Sequence, residues 1–436
     1  MASPRRATRR ARRQRGVTRW PLTLRGLGAL ALALACVVLA ARFGVIELVY
    51  VGVLMLAIVG ASAATLYLAG RRVRVARSFH PDLATTGDPV HVRARVEIRS
   101  ALPVAQGRWE DRLGPGLDGE TAGIFPATVS GTRAGAQARE IEIAYDIVAA
   151  RRGVRAVGPL TVTSTDPFGL VRRTTSAREP ATLTVAPAVV TLESVADLPG
   201  SAGGRMSSST NRLGQGTDNL IPRHYVPGDS MRRIHWRASA HRDELMVRQE
   251  EQETTPEAVV VLDRGLARWS EAALRAPGED ERFETAVTAT VSVTAQLVRE
   301  GYHVSILDVD GTPLVDPVEG GDAAGLREML SAFATVTARR STDLTDLARL
   351  FSTAQTGPLV LITGDLDAAD VGALARVPAH SALPVLICVT NGPPAAPSDE
   401  RARAADTGWR VAAMTPRDDL TAVWSSVAGG GRRVDA

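Results

Sequence analysis

Histidine, serine and aspartate crowd one short stretch, YVPGDSMRRIHWRASAHRDELMVRQEEQE, residues 225–253. Asp229, His235, Ser239 and His241 are among the residues there with side chains suited to catalysis. A nucleophilic triad needs a serine activated by a histidine that a carboxylate orients. Ser239, His241 and Asp229 supply the residue types, but no Gly-x-Ser-x-Gly elbow presents the serine. A helical zinc pair needs two histidines four positions apart, the first followed by glutamate. His235 and His241 stand six positions apart, and Trp236 follows the first. Neither pattern completes, so the expectation is a chain with no catalytic residues, not an enzyme.

A second candidate lies where apolar runs end in aspartate. AVVVLD (258–263) ends in Asp263 and PLVLITGD (358–365) in Asp365. Carboxylates at strand ends can hold a hard ion such as Mg²⁺. They also cap the segment that follows. Capping is the expectation, with no cofactor; a Mg²⁺ site at Asp263 and Asp365 is the alternative.

The crowded stretch reads better as structure. Pro227, Gly228 and Asp229 are turn residues. Ile234 and Trp236 alternate with Arg233, His235 and Arg237, as along a strand or an irregular edge with one buried face. Trp236 is large enough to anchor that face on a core. Arg223, Arg232, Arg233 and Arg248 are expected to pair with Asp229 and with the glutamates at 250, 251 and 253. Their outward heads and those of the histidines would suit an acidic partner.

These residues need a scaffold. AVVVLD (258–263), HVSILDVD (303–310), PLVLITGD (358–365) and LPVLICVTN (383–391) are apolar runs of strand length. ERFETAVTATVSVTAQLVREG (281–301), AAGLREMLSAF, LTDLARLFSTA and RDDLTAVWSSV lie among or after them with helical spacing. Such alternation predicts a parallel, doubly wound sheet over 223–436. Residues 71–192 differ. VHVRARVEI (90–98) and IEIAYDIV (141–148) alternate strictly, and DPFGL (166–170) marks a turn. A β-sandwich-like domain is expected there. Residues 193–222, rich in Gly and Ser, read as a loop.

The first 70 residues are a membrane signal. One apolar run covers 26–41, and a second, Leu48 to Ala69, holds no charge. Roughly 20 apolar residues cross a bilayer as helix, so 22–70 is expected to hold two transmembrane helices behind a basic tail, 1–21. Eight arginines lie in the tail and Arg25 borders the first run, Arg71, Arg72, Arg74 and Arg77 follow the second, and only Arg42 lies between the two. The positive-inside rule then places both ends, and all the soluble part, in the cytoplasm of a multi-pass cell-membrane protein.

Composition excludes several classes. The 51 basic residues are all arginine. Without lysine there is no P-loop phosphate lysine and no pyridoxal Schiff base. Residues 78–436 carry a net charge of −9, which argues against nucleic acid as a partner. Cys36 and Cys388 sit in apolar runs and read as buried small hydrophobes.

Two apolar runs, a β region with DPFGL, and YVPGDSMRRIHWRASA ahead of an α/β region together resemble the bacterial family known as domain of unknown function 58. The residues carrying the resemblance are Tyr225, Pro227, Gly228, Asp229, Arg233, Ile234, His235, Trp236, Ala238, Ser239 and Ala240, followed by ELMVRQEE (244–251). The resemblance implies a von Willebrand factor A-like α/β domain and no established activity. It implies a MoxR-type AAA+ ATPase as partner, and often a transglutaminase-like membrane protein, beside the lipid bilayer. Metal-binding von Willebrand A domains carry Asp-x-Ser-x-Ser, a threonine and a later aspartate. Here Asp263 and Asp365 match, Gly265 and Ala267 replace the two serines, Thr342 and Thr345 are the nearest threonines, and Arg264 adds positive charge. The implied role is that of a membrane-anchored adaptor or chaperone-like partner. The alternative is a divalent-metal-dependent receptor using the degenerate site.

Overall fold

The structure, a computed structural model, describes residues 21–67, 72–99, 106–125, 138–177, 179–194, 220–225, 231, 234, 236–242, 244–250, 256–340, 343–351, 356–392 and 398–428. It divides into two compact units. One is Met1–Ala84, Asp88–Ala150 and Arg155–Leu183; the other is Thr85–Gly87, Arg151–Val154 and Thr184–Ala436.

The first unit opens with two apolar helices, α1 (Leu24–Phe43) and α2 (Ile46–Tyr67), both long and apolar enough to cross a membrane. Thr23 caps α1, its Oγ1 accepting from the Gly26 amide at 3.1 Å. Gly44 ends α1 at φ 66°, a left-handed turn that glycine adopts without strain, and the chain reverses into α2. Ala33, Cys36 and Ala40 are buried, small residues that suit close helix packing, while leucines elsewhere on α1 face outward.

Ten strands follow: β1 (Arg72–His80), β2 (Leu83–Thr85), β3 (Pro89–Arg99), β4 (Gly107–Leu113), β5 (Leu117–Asp118), β6 (Ala122–Phe125), β7 (Ala138–Ala149), β8 (Gly153–Thr165), β9 (Arg172–Ser176) and β10 (Ala181–Ala186). They form two sheets, ordered β1-β3-β7-β5 and β2-β10-β8-β4-β6, with β9 paired to β8. The alternation read in the sequence sets the faces. Val90, Val92, Ala94 and Val96 are buried opposite Ile147, Tyr145, Ile143 and Ile141. Trp109 of β4 meets Tyr145 of β7 with ring centroids 5.5 Å apart.

A buried ion pair joins the two sheets. Arg77 of β1 grips Asp111 of β4 with two bonds of 2.9 Å, and Tyr145 donates to the same carboxylate at 2.6 Å. Burial, then the Asp111 charge, holds the Tyr145 phenol well above its ordinary value. Arg77, expected among the membrane-flanking cations, is therefore engaged inside the β unit.

The second unit holds β11 (Leu220–His224), α3 (Trp236–Arg242) and β12 (Met246–Glu250), then β13 (Glu257–Leu262), α4 (Ala272–Arg275) and α5 (Glu281–Arg299). Next come β14 (His303–Asp308), α6 (Ala323–Phe333), α7 (Thr345–Leu350), β15 (Thr356–Thr363), α8 (Ala368–Leu374), β16 (Ser381–Val389), α9 (Asp399–Asp406), β17 (Arg410–Met414) and α10 (Leu420–Ala428). The main sheet is parallel throughout, ordered β14-β13-β15-β16-β17. Successive strand residues feed opposite cores. Val260, Leu262 and Ile362 pack with α5, α6 and α10; Val261, Leu361 and Leu386 pack with α7, α8 and α9. Helices cover both faces, as the apolar runs require. Four of these five strands are the apolar runs of the sequence. The fifth, β17, is a short RVAAM run in which three of five residues are alanine or arginine, with little strand propensity.

Residues 184–194 lie with this second unit, so the domain edge falls before the 192 expected from composition. Leu192 joins its core, the Val190 amide donates to Ser292 at 2.9 Å, and the Glu193 carbonyl accepts from the Trp424 indole at 3.0 Å. Arg152 is buried in the same unit. It holds both Glu284 oxygens, at 2.5 and 2.9 Å, and the Phe333 carbonyl at 2.6 Å. The basic tail before residue 21 and residues 195–219 of the Gly/Ser-rich stretch lie outside the described residues.

Candidate functional site

The signature stretch folds as a small hairpin interrupted by a helix. β11 and β12 pair antiparallel, with Arg223 opposite Val247 and Arg248 opposite Pro222. The Tyr225 amide extends the ladder to the Leu245 carbonyl at 2.8 Å. Ile234 is buried and bridges Val247, so it is the apolar anchor. Residues 236–242 are helical rather than extended. Their Ala and Arg content favours helix, and about two turns of it outweigh the short alternation seen in the sequence. Trp236, expected as the anchor, opens this helix with 68% of its surface exposed. Met231 and Leu245 are also exposed, at 64% and 45%. Arg237, His241 and Arg242 on α3 face solvent.

Ser239 has a structural task. Its Oγ accepts from the Met246 amide at 2.9 Å and fastens α3 to β12. Gly228, Asp229, Arg232, Arg233 and His235 lie outside the described residues, as do the side chains of Arg223 and Arg248. The arginine pairing expected with Asp229 and the glutamates at 250, 251 and 253 lies there too.

Asp263 and Asp365 sit at the carboxyl ends of the parallel strands. The sheet order reverses between β13 and β15, and a crevice opens at such a switch point. Asp263, just past β13, is fully buried there. Its Oδ1 accepts from the Gly265 amide at 2.8 Å. Its Oδ2 accepts from Thr363 Oγ1, at the end of β15, at 2.6 Å, and touches Arg268 Nε at 2.6 Å. That last contact is an ion pair without a hydrogen bond, because the Nε–H does not point along it. Arg268 also reaches Asp370 of α8 at 3.4 Å. A guanidinium thus bridges two carboxylates at the switch point.

A second cluster lies beside it. Asp308, ending β14, is 2.9 Å from Arg339 and 3.6 Å from Arg264, and Arg339 also pairs with Asp310. Arg264 donates to the Thr337 carbonyl at 2.7 Å, and its own carbonyl accepts from the Arg339 amide at 2.8 Å. Asp365 stands apart from these. It is half exposed and pairs with Arg282 at 2.8 Å. Asp263 and Asp365 therefore serve different arginines.

Charge and burial compete across the crevice. Burial raises the Asp263 carboxyl above its ordinary value, with Arg268 and the Thr363 bond opposing. Burial likewise raises Asp308 and Asp370. Asp280 caps α5 and goes the other way. Burial would raise it, but bonds from Ser270, Phe283 and Arg282 together hold it low. Among the described residues no three His, Cys, Asp or Glu side chains gather as metal ligands. Of the threonines considered, Thr345 bonds its neighbour Asp343 and Thr342 is outside the described residues; the one that reaches Asp263 is Thr363. The sequence carried a signal for it, since Thr363 ends the apolar run before Gly364 and Asp365.

The hairpin, α3 and the sheet through β16 coincide with a known family. Residues 222–391 match the family described as "Protein of unknown function DUF58". Over these residues the chain resembles the DUF58 family. No curated protein matches the chain. One solved structure to which it is similar is the GH20 exo beta-N-acetylglucosaminidase from Vibrio harveyi in complex with N-acetylglucosamine. The two are 8% identical over 78% of this chain and 75% of that one, with a TM-score of 0.17, and the likeness carries no argument. The DUF58 region thus begins inside the signature hairpin and ends after β16, so it contains both the exposed Trp236 and the arginine-filled switch point.

Proposed function

We propose that this chain is a membrane-anchored interaction protein that recognises a protein partner through the signature hairpin. The exposure of Trp236 carries the reading. A tryptophan left in water forgoes the burial of a large apolar surface, and partner interfaces draw on tryptophan and arginine for their central contacts. Here Met231, Leu245, Arg237 and Arg242 accompany it. Arginine at the switch-point carboxylates supports a binding role over a catalytic one, since Arg268 engages the most buried acid, Asp263.

On this reading the β unit is sandwich-like and the parallel-sheet unit von Willebrand factor A-like. The family resemblance names the partner, a MoxR-type AAA+ ATPase, and the task, adaptor or chaperone-like work at the cytoplasmic face of the cell membrane. The test is co-purification of such an ATPase with the full chain from detergent extracts, with and without ATP. Retention by the parent and loss with Trp236→Ala, at unchanged melting temperature, is the expected result. No association in either nucleotide state would overturn the proposal. Orientation is tested separately: protease added to spheroplasts should leave residues 72–428 intact.

A further inference from the structure

The DPFGL turn does more than reverse the chain between β8 and β9. Asp166 is buried, and its carboxylate accepts from the Phe168 amide at 3.0 Å and the Val171 amide at 2.6 Å. Its amide and carbonyl bond Val171 and Gly169 at 3.1 and 3.0 Å. The turn is thus closed by four bonds from one residue. Gly169 takes φ 72°, a conformation open to glycine.

This rigid turn is fastened to the ends of both apolar helices. Thr23, the cap of α1, donates its amide to the Leu170 carbonyl at 2.9 Å and its hydroxyl to the Gly169 carbonyl at 2.5 Å. The Arg172 amide donates to Pro21 at 2.8 Å. Gly26 lies against the Leu170 carbonyl so closely that any side chain there would collide with it. At the end of α2, Tyr67 donates to the Arg172 carbonyl at 3.2 Å, and Arg173 donates to the Leu66 carbonyl at 2.5 Å while lying over the Tyr67 ring. The start of α1 and the end of α2 are one end of a helical hairpin, so the turn is a collar on that end.

Phe168 stands at the tip of the collar with 63% of its surface exposed. Its neighbour Gly169 is bonded to Thr23, and the next residue, Leu24, is exposed as the first residue of α1. Arg25 lies over Gly169 and is itself exposed. An aromatic ring beside an arginine at the end of an apolar helix suits the boundary between headgroups and acyl chains.

We infer that the Asp166–Val171 turn is a membrane-interface wedge: Phe168 enters the acyl boundary of the bilayer and Arg25 sits at the phosphate level. The inference rests on α1 and α2 being spans, and the continuity of the turn with their ends is what selects lipid as its occupant. The wedge would set the first unit's β sheets at a fixed height and tilt over the membrane, in place of a free tether.

The test uses the full chain with Cys36→Ala and Cys388→Ala, reconstituted in phosphatidylcholine and phosphatidylglycerol vesicles. An environment-sensitive fluorophore is attached through Phe168→Cys or, as a control, through Glu271→Cys. The expected result is blue-shifted emission at position 168 that is largely lost when the lipids carry bromine near the headgroup, with no loss at 271. Adding Asp166→Ala should loosen the turn and return the label towards water. Protein that floats with the vesicles while the label at 168 behaves like that at 271 overturns the wedge and leaves the spans standing. Protein that does not float overturns both.

Discussion

Replacing Arg268 with methionine tests how far its guanidinium stabilises the buried Asp263 carboxylate at the switch point. The substitution keeps most of the side-chain volume and removes the charge from beside Asp263 and Asp370. Asp263 stays buried, with only Thr363 and the Gly265 amide to stabilise its anion. Breaking a buried pair from one side costs about 3–5 kcal/mol. For a unit of this size each kcal/mol lowers the melting temperature by roughly 2–4 °C, so the expected drop is about 6–20 °C. The loss depends on pH. Burial already holds the Asp263 carboxyl above its unfolded value, and removing Arg268 takes away the leading opposing influence. A carboxyl raised on folding holds its proton more tightly in the folded state, so stability is greatest below the unfolded value and falls as pH rises towards the folded one. Arg268→Met should therefore approach the parent at about pH 4 and fall furthest behind at about pH 7. Thermal unfolding followed by the buried tryptophans Trp269, Trp409 and Trp424 reads the unit directly. Adding Asp263→Asn should recover a large part of the loss, because a side-chain amide carries no charge to leave unpaired. A loss under about 1 kcal/mol, or one that does not change with pH, would refute the reasoning.

Three further outcomes follow from the same physics. Arg77→Met should destabilise the β unit by about 3–5 kcal/mol in urea unfolding, since Asp111 would keep only Tyr145 beside it, and Tyr145→Phe should cost less, about 1.5–3 kcal/mol. Trp424→Phe should cost about 1–3 kcal/mol in thermal unfolding, because the buried ring is kept while the Glu193 carbonyl loses its donor. Burial pushes the Cys388 thiol up to about 12, so alkylation at pH 8, read by mass spectrometry, should modify it only after denaturation.

Much of this molecule could be read along the chain. Strict alternation in 90–98 and 141–148 located β3 and β7 to within a few residues, because one buried face imposes a period of two. The apolar runs located β13, β15 and β16 because strands covered on both faces are apolar almost throughout, while β14, at the sheet edge, alternates His303 and Ser305 with buried Val304 and Ile306. The signature stretch was legible as a landmark but not as a shape. Alternation at Ile234 and Trp236 suggested a strand, whereas local helix propensity and the Ser239 bond to β12 turned the tryptophan outward. The two strand-end aspartates differ in a way the sequence does not show. Asp263 and Asp365 looked equivalent because each ends an apolar run, yet one is buried against Arg268 and the other is half exposed against Arg282.

By itself the sequence determined what depends on local order: two apolar helices, the alternating and continuous strands, the turn residues of DPFGL and the absence of lysine chemistry. Tertiary structure alone decided what depends on meetings between distant residues. Thr363 reaches Asp263 across one hundred positions, Arg77 reaches Asp111 across thirty-four, and the DPFGL turn meets Thr23 across about one hundred and forty-six. Periodicity reports which face of an element is buried, but not which distant charge will be waiting there. That choice is made when the elements pack, because each buried charge needs a partner and only the assembled fold brings one within reach.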